Sequence, residues 1–456
     1  MVITMRIKEK RIKNLKITMS KEIIKKEREK IKDEKRKMKM EKYKKFYNTK
    51  LGKFLIRKKK KNEINSNKVT LKDQILSVIY FEFLGAILCL LFFFALSGGK
   101  NYIKLYKDLN KLINVYDTVT SNYYGNLDKT ELIDSAIDSM LNSIDDNYTT
   151  YSNKEETNNF LENIEGTYEG IGCMVSMDEN SNIYVVSVFD DSPADKAGLM
   201  EKDIIISIDG QDYVGKSSED VANYVKSNQN NKIKMVIQRD GNHQEITISR
   251  KKVEVPTVTS KVIENSEKKI GYINISIFST VTYNQFKKEL KKLEKEKIDS
   301  LIIDVRNNTG GYLSSVTDIS SLFLKKGKII YQLEDNKNIE KVKDKTDEYR
   351  TYPIAVLINS ASASASEILA SAIKESYNYK NFIVGTNSYG KGTVQKTKKL
   401  SDGSMIKYTI QNWLTPDGNW INEKGVEPTN FIEFNFEDNI DNQLNAAIEL
   451  ILENTK

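Results

Sequence analysis

The sequence predicts a multidomain α/β protein that is preceded by a transmembrane helix. Three observations carry this prediction: an apolar stretch at 75–96, short strands and turns from about residue 163, and apolar strands alternating with helices beyond residue 253. The predicted order is a basic cytoplasmic tail (1–73), a transmembrane helix (74–98), a helical segment (99–162), a β-rich domain with two helices (163–252), an α/β core (253–435) and a C-terminal helix (436–456).

The composition excludes several classes of protein. Of the 71 Lys and Arg residues in this chain of 456 residues, 28 lie in residues 1–73, against 9 Asp and Glu there. The rest of the chain is net acidic, so we expect no nucleic-acid partner. One histidine, His243, and two cysteines, Cys89 and Cys173, are too few for a disulfide framework or a Cys-rich zinc site. We therefore expect no metal and no cofactor.

The apolar stretch Ile75–Leu96 predicts the membrane helix. It has 22 residues and one charge, Glu82, and is long enough to cross a hydrocarbon core of about 30 Å. A buried helix of a globular domain is the alternative, which the length and the flanking charges disfavour. Lys and Arg are denser before the stretch, which predicts a cytoplasmic N-terminus and an extracytoplasmic region over 98–456. Cleavage near Ser97-Gly98-Gly99 and a start at Met40 stay open.

The region 102–252 changes from helices to strands. Apolar residues at helical spacing predict helices within 102–162, with Asp128 or Thr130 as a cap. Strands follow at 183–189 and 203–210, then a helix at 217–227 and a hairpin at 232–250. His243 lies just past the hairpin turn, and we expect it to face solvent.

Residues 163–252 resemble a PDZ domain, on EGIGCMV (169–175) and SPADKAGLMEKDIIISIDG (192–210). The resemblance implies that this domain binds an extended peptide, usually a free C-terminus, as an added strand. It also implies that the loop Gly170-Ile171-Gly172 offers backbone N–H groups to the peptide carboxylate. The alternative is an ordinary glycine turn between strands.

The α/β core contains a serine-rich turn between a strand and a helix, in YPIAVLINSASASASEILASAIKES (352–376). A strand, a tight turn and a helix can present a serine hydroxyl beside free backbone N–H groups. A linker or a set of helix caps is the alternative reading of 360–366. With its one histidine in the hairpin, the chain offers no Ser-His-Asp triad, and a desolvated lysine could serve as the base. Lys391 stands out because it lies between Gly390 and Gly392 after a buried strand.

Several ordered motifs resemble the carboxy-terminal processing peptidases, which are tail-specific proteases with a Ser-Lys dyad. The resemblance covers about 103–435 and rests on five motifs: MLNSIDDNYTTY (140–151), RNNTGG (306–311), SASASASEI (360–368), YGKGTVQ (389–395) and LTPDGNWINEKGVEP (414–428). It implies an α/β Ser-Lys protease core after the PDZ domain, with Ser364 as nucleophile and Lys391 as general base. Gln395 would support the lysine, and backbone N–H groups of Ala365 and Gly310 would form the oxyanion hole.

Some alternatives stay open within this resemblance. The Ser-Ala repeat leaves Ser362 and Ser366 as other nucleophiles, and Gly311 is the next oxyanion candidate. Thr309 occupies a position where the family often has Pro, Ser or Ala. The expected function is a membrane-anchored serine endopeptidase in envelope protein processing or signalling. Its expected partners are substrates bound by their C-terminal peptides, membrane lipid and a second copy of the chain. A catalytically inactive, membrane-tethered PDZ peptide-binding protein is the alternative.

Overall fold

The computed structural model describes residues 29–57 with gaps, 71–96, and 102–454 apart from 229, 266–267 and 438–439. The chain divides into two compact units, Met1–Tyr124 and Gly125–Lys456. Most of the predicted basic tail and the candidate cleavage site at 97–99 lie outside the described residues.

The first unit contains two long helices, α1 (Leu71–Leu96) and α2 (Tyr102–Asn122). Among the described residues, no helix combines the length and the apolar character needed to cross a membrane. The predicted transmembrane helix over 74–98 stays a prediction from the sequence.

The second unit begins with α3 (Lys129–Asn142), β1 (Thr150–Ser152) and α4 (Lys154–Glu165). Asp128 caps α3, as predicted, by accepting hydrogen bonds from the N–H groups of Thr130 and Glu131. The helices predicted within 102–162 are present, and the short strand β1, which was not predicted, interrupts the helical segment. These three residues pair with a distant strand, which satisfies their backbone groups without a helix.

Five strands of the β-rich domain form the sheet β3-β4-β5-β7-β8, with β6 paired to β5. The bounds are β3 (Cys173–Met177), β4 (Ile183–Val188), α5 (Pro193–Lys196), β5 (Ile204–Ile208), β6 (Gln211–Asp212), α6 (Ser218–Ser227), β7 (Lys232–Arg239) and β8 (Asn242–Ser249). Outside this sheet, β2 (Thr167–Gly170) pairs with β9 (Lys251–Glu254). Strand β3 lies at the sheet edge, and His243 is exposed on β8, as expected.

The α/β core is built on the sheet β10-β11-β12-β15-β16-β19. Its elements are β10 (Val258–Asn265), β11 (Lys268–Ile275), α7 (Thr282–Lys295), β12 (Ser300–Asp304), α8 (Leu313–Ser320), β15 (Ile354–Ile358), α9 (Ala365–Ser376), β16 (Asn381–Gly385), β19 (Asn430–Phe431) and α10 (Asn442–Asn454). From β11 to β19 the strands are parallel. Every residue of β12 and β15 is buried, as their apolar sequences predict.

A second sheet of the core has the order β1-β18-β13-β14, with β17 paired to β18. Its strands are β13 (Ile329–Glu334), β14 (Ile339–Lys343), β17 (Thr393–Lys399) and β18 (Met405–Leu414), besides β1. The sequence did not predict this sheet. It matters for the site because it places the segment around β1 beside the loop that carries Lys391.

Candidate active site

Three loops of the site follow three neighbouring parallel strands. The loop 306–311 follows β12, the serine turn follows β15, and the lysine loop follows β16. Strand β15 pairs in parallel with both β12 and β16. The carboxyl ends of parallel strands meet at one edge of a sheet, where α/β proteins commonly bind ligands. Residues far apart in the sequence are thereby brought together.

Ser364 is the N-cap residue of α9, with φ 56° and ψ −110°. A positive φ is uncommon outside glycine, and such strained backbone costs on the order of 1–3 kcal/mol and clusters at functional sites. Ser364 is partly exposed and lines a cavity. The turn therefore presents this hydroxyl to solvent from a strained strand-to-helix connection.

The two alternative nucleophiles of the repeat, Ser362 and Ser366, are fully buried, and their hydroxyl groups are engaged. Ser362 Oγ donates to the carbonyl of Val305 at 2.8 Å, and Ser366 Oγ donates to the carbonyl of Asn308 at 2.8 Å. Both hydroxyls bind the serine turn to the loop after β12. The geometry favours Ser364 over either alternative as a nucleophile.

Lys391 points its ammonium nitrogen at the ring of Tyr148, with Nζ 4.8 Å from the ring centroid. Burial lowers the pKa of Lys391, and the positive charge of Lys407 lowers it further. The carboxylates of Glu367 and Asp146 act in the opposite direction. The net lowering favours the neutral amine that a general base requires.

Tyr148 belongs to the segment before β1, and sequence reasoning gave it no role. Burial first, and then its hydrogen bond to Tyr389, raise the pKa of Tyr148 to about 12. Nearby, Thr149 Oγ1 donates to Asp146 Oδ2 at 2.6 Å and accepts from the N–H of Thr409 at 3.3 Å. The signal in the sequence was the DNYTTY part of the motif at 140–151, whose polar groups contact the lysine loop only after β1 has paired with β18.

Gln395 lies on β17, four residues after Lys391. Its Nε2 donates to Thr393 Oγ1 at 2.8 Å and to Thr409 Oγ1 at 3.2 Å. The structure places Gln395 in the same cavity as Lys391. Its predicted support of the lysine stays a prediction.

Gly310 lies against the serine turn. A Cβ built on Gly310 would lie 2.8 Å from the carbonyl oxygen of Ala363 and 2.8 Å from Ser364 Cβ. Its N–H donates to Asn308 Oδ1 at 2.9 Å. This donor could therefore stabilise an oxyanion only after that bond is exchanged, whereas Ala365 N begins α9 directly after Ser364.

Asn308, which sequence reasoning also missed, is fully buried. Its Nδ2 donates to the carbonyl of Ile275 at 2.8 Å, and its own carbonyl accepts from Ala363 N at 3.0 Å. Asn308 thereby fixes the loop 306–311 against both β11 and the serine turn.

The loop predicted to bind a peptide carboxylate lies between β2 and β3. Gly170, Ile171 and Gly172 are all buried. The carbonyl of Ile171 accepts from Ala194 N at 2.8 Å, and the carbonyl of Gly172 accepts from Phe189 N at 3.0 Å. These bonds hold the loop carbonyls inward.

One cavity joins the core loops to the β-rich domain. It has a volume of about 1220 Å³. Its walls include Gly310, Ser364, Lys391 and Gln395 from the core, and Tyr168, Cys173, Val175, Ser218 and Ala222 from β2, β3 and α6. A peptide lying along β3 would thus be continuous with the space in front of Ser364. Within the described part of the chain, no cluster of three or more His, Cys, Asp and Glu side chains is placed to hold a metal ion.

The core sheet presents a strained serine and a partly buried lysine beside the β-rich domain, whose edge strand β3 lines the same cavity. These features together define a class of serine peptidase. Family comparisons agree with this. The profile of Peptidase family S41 matches residues 269–431, a PDZ domain profile matches 170–249, and the profile of the activating protease CtpB N-terminal domain matches 96–156.

Similar proteins assign the chain to a peptidase family. The chain is 40% identical over 329 residues to the carboxy-terminal processing protease CtpB of Bacillus subtilis, covering 71% of this chain and 67% of that protein. It is 36% identical over 324 residues to a probable CtpA-like serine protease of Staphylococcus aureus, covering 70% and 64%. The chain therefore belongs to peptidase family S41, as a multidomain α/β serine-type peptidase with a PDZ domain.

The solved structures that are similar to this chain include a photosystem II D1 C-terminal processing protease. It is 25% identical with a TM-score of 0.41, and the match covers 74% of this chain and 87% of that one.

Proposed function

We propose that the protein is an endopeptidase that uses a Ser364–Lys391 dyad to cleave substrates whose C-termini bind the PDZ domain. One observation carries the proposal: a single cavity contains Ser364, Lys391 and the groove along β3. The lowered pKa of Lys391 supports its role as base, and the strained turn supports Ser364 as the nucleophile.

The reaction is a two-step acyl transfer. Neutral Lys391 accepts the proton of Ser364 Oγ as that oxygen attacks the scissile carbonyl. The backbone N–H of Ala365 stabilises the developing oxyanion, together with the N–H of Gly310 once it has exchanged its bond to Asn308 Oδ1, or the N–H of Gly311. The protonated lysine then gives its proton to the leaving amine, and water hydrolyses the acyl-enzyme. No cofactor is needed for either step.

The PDZ domain supplies the recognition. Strand β3 is an edge strand with a neighbouring strand on one side only, so an extended peptide can add to the sheet on the other side. The half-buried Val175 and Ala222 line the groove. Burial also raises the pKa of the Cys173 thiol to about 12, so this cysteine stays protonated and unreactive in the groove.

The test compares Ser364→Ala with Ser371→Ala on an unfolded protein substrate. Ser371 lies on the same helix α9, and its hydroxyl donates to the carbonyl of Ile368 at 3.1 Å, so the control loses a serine hydroxyl outside the site. We expect S364A to be folded and inactive and S371A to be active. An active S364A would refute the nucleophile assignment, and an inactive wild-type protein that still binds peptides would favour the PDZ binding protein.

Membrane anchoring is part of the same proposal and rests on the sequence. The stretch at 75–96 would cross the cell membrane once, with the N-terminus cytoplasmic and the protease extracytoplasmic, in contact with lipid. A carbonate wash of membranes tests it: the full-length chain should stay in the pellet, and a variant lacking 75–96 should be released.

We also propose a homodimer, since α2 exposes the apolar side chains of Leu109, Leu112 and Val115 to solvent. Light scattering would measure the mass of the particle in solution.

A further inference from the structure

The Glu367 carboxylate is the meeting point of the serine turn and the lysine loop. Its Oε2 accepts from Ser364 N at 2.7 Å and from Lys391 N at 3.0 Å. Its Oε1 accepts from Ser388 Oγ at 2.6 Å and from Gly390 N at 2.7 Å. Three of the four donors are backbone N–H groups of the segments that carry the two proposed catalytic side chains.

The position of this carboxylate in the core is unusual. Glu367 is fully buried, and a buried carboxylate is costly unless its oxygens are satisfied. On balance the pKa of Glu367 is raised, because burial raises it more than the hydrogen bonds from Ser388, Gly390, Lys391 and Ser364 lower it. Four donors fill the acceptor sites of an ionised carboxylate, and a protonated acid or a neutral amide would offer fewer.

We propose that Glu367 is a positioning residue that fixes the distance and direction between Ser364 and Lys391. The role rests on the proposed dyad and concerns the backbone rather than the reacting atoms. Ser364 holds φ 56° although it is not a glycine, and a charge-assisted bond to its own N–H is a direct restraint on that strained conformation. The same carboxylate restrains the N–H of Lys391, so that the two loops cannot move independently.

A purely structural carboxylate and a positioning carboxylate differ in one measurable respect. The charged and titratable groups that face Lys391 are Glu367, Asp146, Lys407 and Tyr148. The negative charge of Glu367 favours the protonated lysine, so its removal lowers the pKa of Lys391. The lower limb of the rate-against-pH curve should then move to lower pH, even as the maximal rate falls.

The experiment measures kcat, KM and the pH profile for wild type, Glu367→Gln and Glu367→Asp. E367Q keeps the size, loses the charge and leaves at least one N–H donor without an acceptor. We expect its kcat to fall by about 10²-fold, the scale for a misplacement of about 1 Å, with little change in KM. E367D keeps the charge with a shorter reach, so it should keep the wild-type midpoint of the pH limb and recover part of kcat.

Glu294→Gln is the matched control, because Glu294 is another carboxylate of the core, paired with Arg350 at 2.9 Å. We expect E294Q to lower the melting temperature and to leave kcat and the pH limb unchanged. A wild-type kcat in E367Q, or a loss of kcat with the midpoint unmoved, would overturn the proposal. If E367Q does not fold, E367D decides: folded with a kcat at least 5-fold below wild type supports the proposal, and folded with wild-type kcat refutes it. An active Ser364→Ala would instead refute the dyad itself.

Discussion

Substitution of Gly310 by alanine tests how closely the loop after β12 lies against the nucleophile. Gly310 has φ +104°, which L-residues rarely adopt. The new Cβ would lie 2.8 Å from the Ala363 carbonyl oxygen, 2.8 Å from Ser364 Cβ and 3.0 Å from Ala365 N. These neighbours belong to the backbone or to Ser364 itself, so no flexible side chain can move aside.

The size of the effect follows from these distances. Ordinary contacts lie at about 3.5–4.0 Å, so the serine turn or the loop must move by up to about 1 Å. A displacement of about 1 Å at a reacting group can cost about 10² in rate. The backbone conformation adds about 1–3 kcal/mol of strain. We therefore expect kcat of G310A to fall by about 100-fold and its melting temperature to fall by several degrees.

Gly327→Ala separates the effect of backbone strain from the effect of close contacts. Gly327 has φ +86°, and a Cβ there meets nothing within 4 Å. G327A should lose a similar amount of stability through strain and keep its kcat. The assay is steady-state cleavage of an unfolded protein, with thermal melting of each variant. If kcat of G310A stays within about threefold of wild type, or if G327A loses as much kcat, the reasoning from contact distances is refuted.

Two further predictions concern the pH dependence and the stability of the core. Activity should rise with pH, because only the neutral amine of Lys391 accepts a proton. The midpoint of this rise should lie below the ordinary lysine pKa, since burial lowers the pKa of Lys391. A midpoint near 6.5, the ordinary pKa of histidine, would contradict the assignment. Asp304→Asn should destabilise the fold by about 1–3 kcal/mol in urea melts, because Arg306 contacts Asp304 at 2.6 Å with both side chains largely buried, while Asp441, 2.7 Å from Arg306, still pairs with the guanidinium. Asp347→Asn, in an exposed pair with Lys326, should cost under about 1 kcal/mol, and equal losses would refute the burial argument.

Sequence reasoning succeeded where the pattern was local. The strands β12 and β15 are continuous apolar runs, and each is followed at once by the loop that carries site residues. Parallel pairing of such strands then brings Gly310 next to Ser364. A family motif sufficed to select Lys391 among the many lysines of the chain.

The second sheet was missed for a physical reason. Strands β14 and β17 are rich in lysine and mostly exposed, so neither shows the apolar alternation that indicates a strand. They are stabilised by pairing with neighbours distant in the sequence. The position of Tyr148 also depends on pairing between distant segments, because its ring reaches Lys391 only when β1 pairs with β18. No local pattern encodes such a contact.

The loops of the site are joined by hydrogen bonds of buried polar groups rather than by apolar packing, and these bonds restrain the positions of the loops. Asn308 bonds the loop after β12 to the serine turn, and Glu367 bonds the serine turn to the lysine loop. Apolar contacts are non-directional and tolerate small shifts, whereas a buried donor that loses its acceptor costs about 1–3 kcal/mol. Drift of either loop would break several such bonds together. The strained Ser364 and the partly desolvated Lys391 can therefore persist because the hydrogen bonds of Asn308 and Glu367 leave their loops few other positions.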